Sequence, residues 1–209
     1  DFLEFHYDHM DTTSISGNMI HKILFEDKNG NIWIGTYSGG LNVYNPTTGS
    51  FTHYLRERRF LFDFDFNLIH SGVEDQDGTI WLASTKSSGI LHFDPSTGKD
   101  TILHVNSGPM DQSNRIAFIS DDSKGRLWIS TYKGLYLLDK KSGKFTNIGS
   151  FVPEAGAIAN DFVNGFIEDE NGIFWITTPD ALFQYNEAEG KITQYRHDPD
   201  NIKSLSDSY

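Results

Sequence analysis

Four tryptophans stand at positions 33, 81, 128 and 175, so they lie 48, 47 and 47 residues apart. This spacing constrains the fold more than any other feature, because each Trp carries the same surroundings. A glycine precedes each by three residues (Gly30, Gly78, Gly125, Gly172), and an aspartate precedes each glycine by three (Asp27, Asp75, Asp122, Asp169). Ser or Thr follows each Trp at the third position (Thr36, Ser84, Thr131, Thr178). A short apolar run comes next, "LNVYN", "ILHFD", "LYLLD" or "LFQYN", and a second turn glycine follows it at Gly49, Gly98, Gly143 and Gly190. Self-similarity at a period of roughly 40–50 residues marks propellers and solenoids.

Each unit reads as strands. "NIWIGT" and "LNVYN" are rich in β-branched and aromatic residues and are bounded by Gly, Asn, Asp and Pro. "DKNG", "DQDG" and "DENG" are turn strings, because Asp and Asn bond nearby backbone and Gly accepts positive φ. Four strands per unit follow: a is "MIHKILFE", b "NIWIGT", c "LNVYN" and d "SFTHYL". No segment keeps a 3.6-residue apolar period, so helix is expected to be nearly absent. Four short antiparallel strands at this repeat length match a propeller blade. The expected fold is all-β, four four-stranded blades over about residues 18–56, 67–105, 114–150 and 160–196, an excerpt of a larger, seven-bladed type of propeller. Trp33, Trp81, Trp128 and Trp175 are read as structural wedges between neighbouring sheets.

The two ends resemble one another. "FHYDHMDTTSIS" from Phe5 aligns with "YRHDPDNIKSLS" from Tyr195, setting Asp8 on Asp198 and Ser14 on Ser204. Residues 1–17 are therefore expected to come from strand d and the linker of a preceding blade, and residues 197–209 to lead to a following one.

The string Asp-x-x-Gly-x-x-Trp-Ile-Gly-Thr, followed by Gly-Gly-Leu-x-x-Tyr-Asn, resembles the two-component regulator propeller repeat, and so does the linker "HDPDNIKSLS". The resemblance covers all four units, with departures at "LRERRFLFDFDFN" and "LAS" in the second and "TTPDAL" in the fourth. It implies the extracytoplasmic, periplasmic sensor region of a hybrid two-component histidine kinase, recognising an oligosaccharide without chemistry. It also implies partners: the remaining blades and domains of the same chain, and a second copy in a homodimer.

Charge and composition fit that expectation. Lys and Arg number 17 against 29 Asp and Glu, a net charge of -12 that argues against nucleic acid and anionic membrane. No apolar run approaches 18 residues, so direct membrane insertion of this segment is not expected. Cysteine is absent, which excludes disulfides and Cys-ligated metal. Neither cofactor nor metal is expected.

In propellers the d-to-a and b-to-c loops gather on one face. Candidate ligand residues there are Tyr37 and Tyr132 for stacking on a sugar ring, and Lys86, Arg115 and Lys133 for hydroxyls or a uronate carboxylate. Asn18, Asn67, Asn114 and Asn160 lie eight or nine residues before the turn aspartates of their units and join them as candidates. The alternative is that each Asn caps strand a and that the tyrosines pack their own loops. "STGK" and "KSGK" lack the spacing of a phosphate loop and read as turns. His6, Asp8, His9 and Asp11 sit in a linker and read as linker residues rather than metal ligands. The stretch "RERRFLFDFDF" holds a basic cluster followed by four Phe. Arg56, Arg58, Arg59, Phe60, Phe62 and Phe64 are read as an interface, since Arg and aromatic residues dominate hot spots. A ligand-sensing propeller without chemistry is the leading reading. The rivals are a propeller lyase or glycosidase, and a protein-interaction scaffold.

Overall fold

Turn glycines set the strand ends. Gly30, Gly78, Gly125 and Gly172 have φ of 79, 83, 71 and 74°, and Gly49, Gly98, Gly143 and Gly190 have φ of 70, 70, 69 and 63°. An L side chain is strained in this left-handed region, so both turns of every unit are punctuated by glycine. The structure, a computed structural model, describes residues 3–37, 39–54, 64–84, 87, 89–106 and 115–206.

Among the described residues, sixteen strands form four antiparallel sheets, each in sequential order. The first holds β1 (Ile20–Glu26), β2 (Ile32–Thr36), β3 (Leu41–Asn45) and β4 (Ser50–Tyr54). The second holds β5 (Ile69–Glu74), β6 (Ile80–Ser84), β7 (Ile90–Asp94) and β8 (Lys99–Leu103). The third holds β9 (Ile116–Asp121), β10 (Leu127–Thr131), β11 (Gly134–Asp139) and β12 (Lys144–Asn147). The fourth holds β13 (Gly165–Glu168), β14 (Ile173–Thr178), β15 (Ala181–Asn186) and β16 (Lys191–Tyr195). In the first sheet these match strands a to d of the sequence reading to within one residue at each end.

The chain divides into two compact units, residues 1–104 and 105–209. In the first, blades 1 and 2 share a core of Trp33, Leu41, Val43, Phe64, Phe66, Ile69, Ile80, Leu82, Leu91 and Phe93. Trp33 stacks on Phe25 and Tyr54 at 5.6 and 5.5 Å, and Tyr54 meets Phe93 of the next blade edge-on at 5.6 Å. Backbones approach closely at the same joint: a Cβ on Gly35 would stand 2.5 Å from the Ile69 carbonyl oxygen. In the second unit Trp128 bridges blades 3 and 4, with Phe166 and Phe174 at 5.1 and 5.5 Å. Trp33 thus lies in the core that blades 1 and 2 share, and Trp128 packs on rings of the next blade. Trp81 is buried and stacks on His92 at 4.1 Å. Trp175 is half-buried against Tyr195 at 6.3 Å.

Three features depart from the sequence reading. Phe64 is 2% exposed, inside the core of the first unit, so it is an interior residue and not part of an interface between propellers or protomers. Its alternation with Asp suits a half-buried segment, and the apolar side enters the blade joint beside Phe66. Arg56, Arg58, Arg59, Phe60 and Phe62 lie outside the described residues. Second, helix appears after β12: two short 3-10 turns, Ile148–Ser150 and Pro153–Ala155, and α1 (Ala157–Asn160). Asn147 caps the first turn by accepting from the Gly149 N–H at 2.9 Å, and Ile148, Val152, Ala155 and Ile158 insert into the core of unit 2. Third, residues 3–8 form no strand, although the Phe5 ring packs on Tyr44 and Phe51 at 4.8 and 5.3 Å. The linker likeness does hold: the Asp8 N–H donates to Ser14 Oγ at 3.0 Å, and the Asp198 N–H to Ser204 Oγ at 2.9 Å.

The joint between blades 3 and 4 is also clamped by charge. Arg126 donates from Nη1 and Nη2 to Glu187 Oε1 and Oε2 at 2.6 and 2.9 Å, and Lys124 Nζ donates to Oε2 at 2.5 Å. These bonds, Arg126 foremost, hold the Glu187 carboxyl down at about 2, well below its ordinary 4.5. Its contribution is therefore complete above about pH 5 and is lost as pH falls through 4.5 toward 2. Glu187→Gln is expected to cost about 1 kcal/mol at pH 7, a partly screened clamp. In urea denaturation the gap between variant and parent should close as pH approaches 2, and a gap unchanged by pH would refute the clamp.

Candidate functional site

The recurring aspartate holds two things at once. Asp27 Oδ1 accepts the backbone N–H groups of Asn29 and Asn31 at 2.9 Å each, closing the a-to-b turn. Its Oδ2 accepts the Trp33 indole N–H at 2.9 Å. The same indole bond recurs from Trp81 to Asp75 at 3.1 Å, from Trp128 to Asp122 at 2.9 Å and from Trp175 to Asp169 at 2.9 Å. The wedge ring is thereby fastened to the turn of its own blade. Burial pushes the Asp27 carboxyl up, but bonds from Asn31, Trp33 and the turn amides outweigh it and hold it below the ordinary value. The Trp175 indole bond leads the same lowering at Asp169. A glycosidase acid needs the opposite shift, so these two carboxylates serve as fasteners.

The b-to-c loops carry the exposed rings. Tyr132, 39% exposed, follows β10. Its backbone N–H donates to the Arg115 carbonyl at 3.2 Å, which brings the loop against the residue before β9. The Arg115 guanidinium carbon lies 5.0 Å from the Tyr132 ring centre, a cation–π distance, and the Phe162 ring lies at 4.7 Å. Lys133 is exposed on the same turn, and its N–H donates to Thr131 Oγ1 at 2.9 Å. The structure thus gathers Arg115, Tyr132 and Lys133 in unit 2 and adds Phe162. Strand periodicity could not flag Phe162, which sits in irregular backbone between α1 and β13.

Unit 1 repeats the motif more sparsely. The Tyr37 N–H donates to the Met19 carbonyl at 3.0 Å, and the ring, 45% exposed, meets His21 edge-on at 4.8 Å. Lys86 and Asn114 lie outside the described residues. The other three asparagines do not form one set. Asn18 Oδ1 accepts the Tyr7 N–H at 2.6 Å, so it pins the N-terminal segment. The Asn67 N–H donates to Asp65 Oδ1 at 2.9 Å inside a turn. Asn160 ends α1 and donates from Nδ2 to the Gly156 carbonyl at 3.3 Å. None of these bonds is a cap on strand a.

The two-component regulator propeller model matches residues 14–38, the end of the first linker with β1 and β2. The extracellular domain of the hybrid two-component system BT3049 from B. thetaiotaomicron has a similar fold, with a TM-score of 0.74 at 21% identity over 98% of this chain and 25% of that one. The corresponding domain of BT4673 from the same organism gives 0.68 at 21%, over 91% and 24%. Virginiamycin B lyase from Staphylococcus aureus gives 0.61 at 16%, over 87% and 56%. The chain thus spans about a quarter of the first two proteins' length. No curated protein matches it in sequence. Among the described residues, no helix is long and apolar enough to cross a membrane. Residues 14–38 thus match a two-component regulator propeller repeat, the other three units copy its pattern down to the bond from indole to aspartate, and the fold is that of propeller blades.

Proposed function

We propose that this chain is part of the periplasmic sensor propeller of a hybrid two-component histidine kinase, and that it binds an oligosaccharide without transforming it. One observation carries the ligand reading: Tyr132, an exposed ring flanked by the Arg115 guanidinium and Phe162. A flat apolar face beside cationic donors suits a pyranose ring and its hydroxyls, or a uronate carboxylate. The repeat family and the likeness to extracellular domains of hybrid two-component systems support the sensor role. Signalling then requires that ligand bind differently to two arrangements of the whole protein. Because the blade joint inside each unit is packed with rings, the moving element in this reading lies between propellers or between the halves of a dimer.

The test is calorimetry of the intact sensor region against a glycan panel. One oligosaccharide is expected to bind, and Tyr132→Ala to weaken it by about 2 kcal/mol, roughly thirtyfold, the loss of an aromatic anchor. Turnover of a glycan would assign a propeller lyase or glycosidase instead. Full affinity in the variant would move the site away from this loop.

A further inference from the structure

The clamp that closes the joint of blades 3 and 4 is missing from the joint of blades 1 and 2. Counted from the turn aspartates, Lys124 and Arg126 correspond to Asn29 and Asn31. Counted from the end of the third strand, Glu187 corresponds to Pro95. The joints are otherwise built alike. The Lys28 N–H donates across blades to Glu74 Oε2 at 2.9 Å, as the Ser123 N–H donates to Glu168 Oε2 at 2.6 Å. Where three charged side chains fill one joint, two short amides and a proline leave the other open.

The result is a groove of about 370 Å³, whose walls include Asn29, Asn31, Trp33, Asn45, Tyr54 and Glu74. That volume lies at the lower end of small-molecule sites, roughly 300–1,000 Å³. The lining holds no cationic side chain, so an anion would meet Asp27 and Glu74 uncompensated. Asn45 Oδ1 accepts the N–H groups of Thr47 and Thr48, which leaves its amide nitrogen to donate. Glu74 spends Oε2 on Lys28 and keeps Oε1 as an acceptor. Trp33 and Tyr54, stacked at 5.5 Å, supply the apolar wall. Both Asp27 oxygens are taken by Asn29, Asn31 and Trp33, so the groove offers amide donors, one carboxylate oxygen and ring surface; without a cation it disfavours an anion, and these groups suit a neutral polyhydroxylated ring.

We propose that this groove is a second ligand site, for one neutral monosaccharide. Its walls come from the a-to-b and c-to-d turns, whereas Tyr132 stands on a b-to-c loop, so it does not depend on the oligosaccharide reading above. Two features set it: Asn31 and Pro95 keep it open, and Asn29 contributes the amide that Lys124 replaces at the filled joint.

The test titrates the intact sensor region with glucose, galactose, mannose and N-acetylglucosamine, followed by calorimetry and tryptophan fluorescence. At least one sugar is expected to bind saturably, and Asn29→Ala to weaken it about tenfold, the loss of one to two hydrogen bonds. The double variant N31R/P95E copies the clamp of the other joint. It should abolish binding while its unfolding midpoint stays at or above that of the parent. Saturation by none of the four sugars would overturn the proposal, as would parental affinity in N31R/P95E. If the double variant does not fold, Asn29→Ala decides, and unchanged affinity there overturns it. Tyr132→Ala should leave this binding untouched, so failure of the oligosaccharide reading shows in a different variant.

Discussion

Replacing Trp128 with alanine is expected to lower stability by about 3–5 kcal/mol, the range for deleting a buried large ring. Trp128 is 1% exposed, packs on Phe166 and Phe174 of the next blade and donates its indole N–H to Asp122. The variant therefore leaves a cavity at a blade joint and a carboxylate short of one donor. Trp175, half-buried and stacked on Tyr195 alone among the described ring contacts, should cost clearly less when truncated. Urea denaturation of both variants reads the contrast. Equal losses would mean that the ring's value lies inside its own blade and not in bridging two.

Asp122→Asn should cost about 2–4 kcal/mol, although it changes one atom. The Asp122 side chain is fully covered. Its Oδ1 accepts the Lys124 and Arg126 N–H groups, and its Oδ2 accepts Arg126 Nε at 2.6 Å and the Trp128 indole. An amide keeps one acceptor but turns an N–H toward two donors, and it strips Arg126 of a counter-charge. Arg126 in turn lies 5.4 Å from the Trp128 ring centre, so the wedge loosens with it. Arg126 keeps Glu187 as a partner, so Arg126→Met in the same background should deepen the loss rather than relieve it. A double variant more stable than Asp122→Asn in urea denaturation would show that the damage comes from the cation and not from the turn.

The strands were legible because their ends are written in glycine and aspartate. Leu41–Asn45 falls where the sequence put it, bounded by Gly40 and by the turn that Gly49 closes. The bond from Asp27 to Trp33 was not legible, although both residues were singled out, since spacing alone does not say that a turn folds a carboxylate back onto an indole. Contacts across blades were further out of reach. Arg126 and Glu187 are 61 residues apart, and each reads locally as a solvated turn charge. Phe64 carried a pattern compatible with an edge and with an interior, and packing decided for the interior. At the candidate site the sequence named Tyr132 and Arg115, but it could not name Phe162 or separate the roles of Asn18, Asn67 and Asn160, which depend on where the chain passes.

The fastening of each indole is completed within a few consecutive residues, from Asp27 to Trp33 in the first blade and likewise in the others. A stretch copied by gene duplication therefore arrives with its own fastener and needs no compensating change elsewhere. Selection can lengthen or shorten such an array a module at a time, and can rewrite connecting segments such as that around Arg56 without undoing the modules on either side.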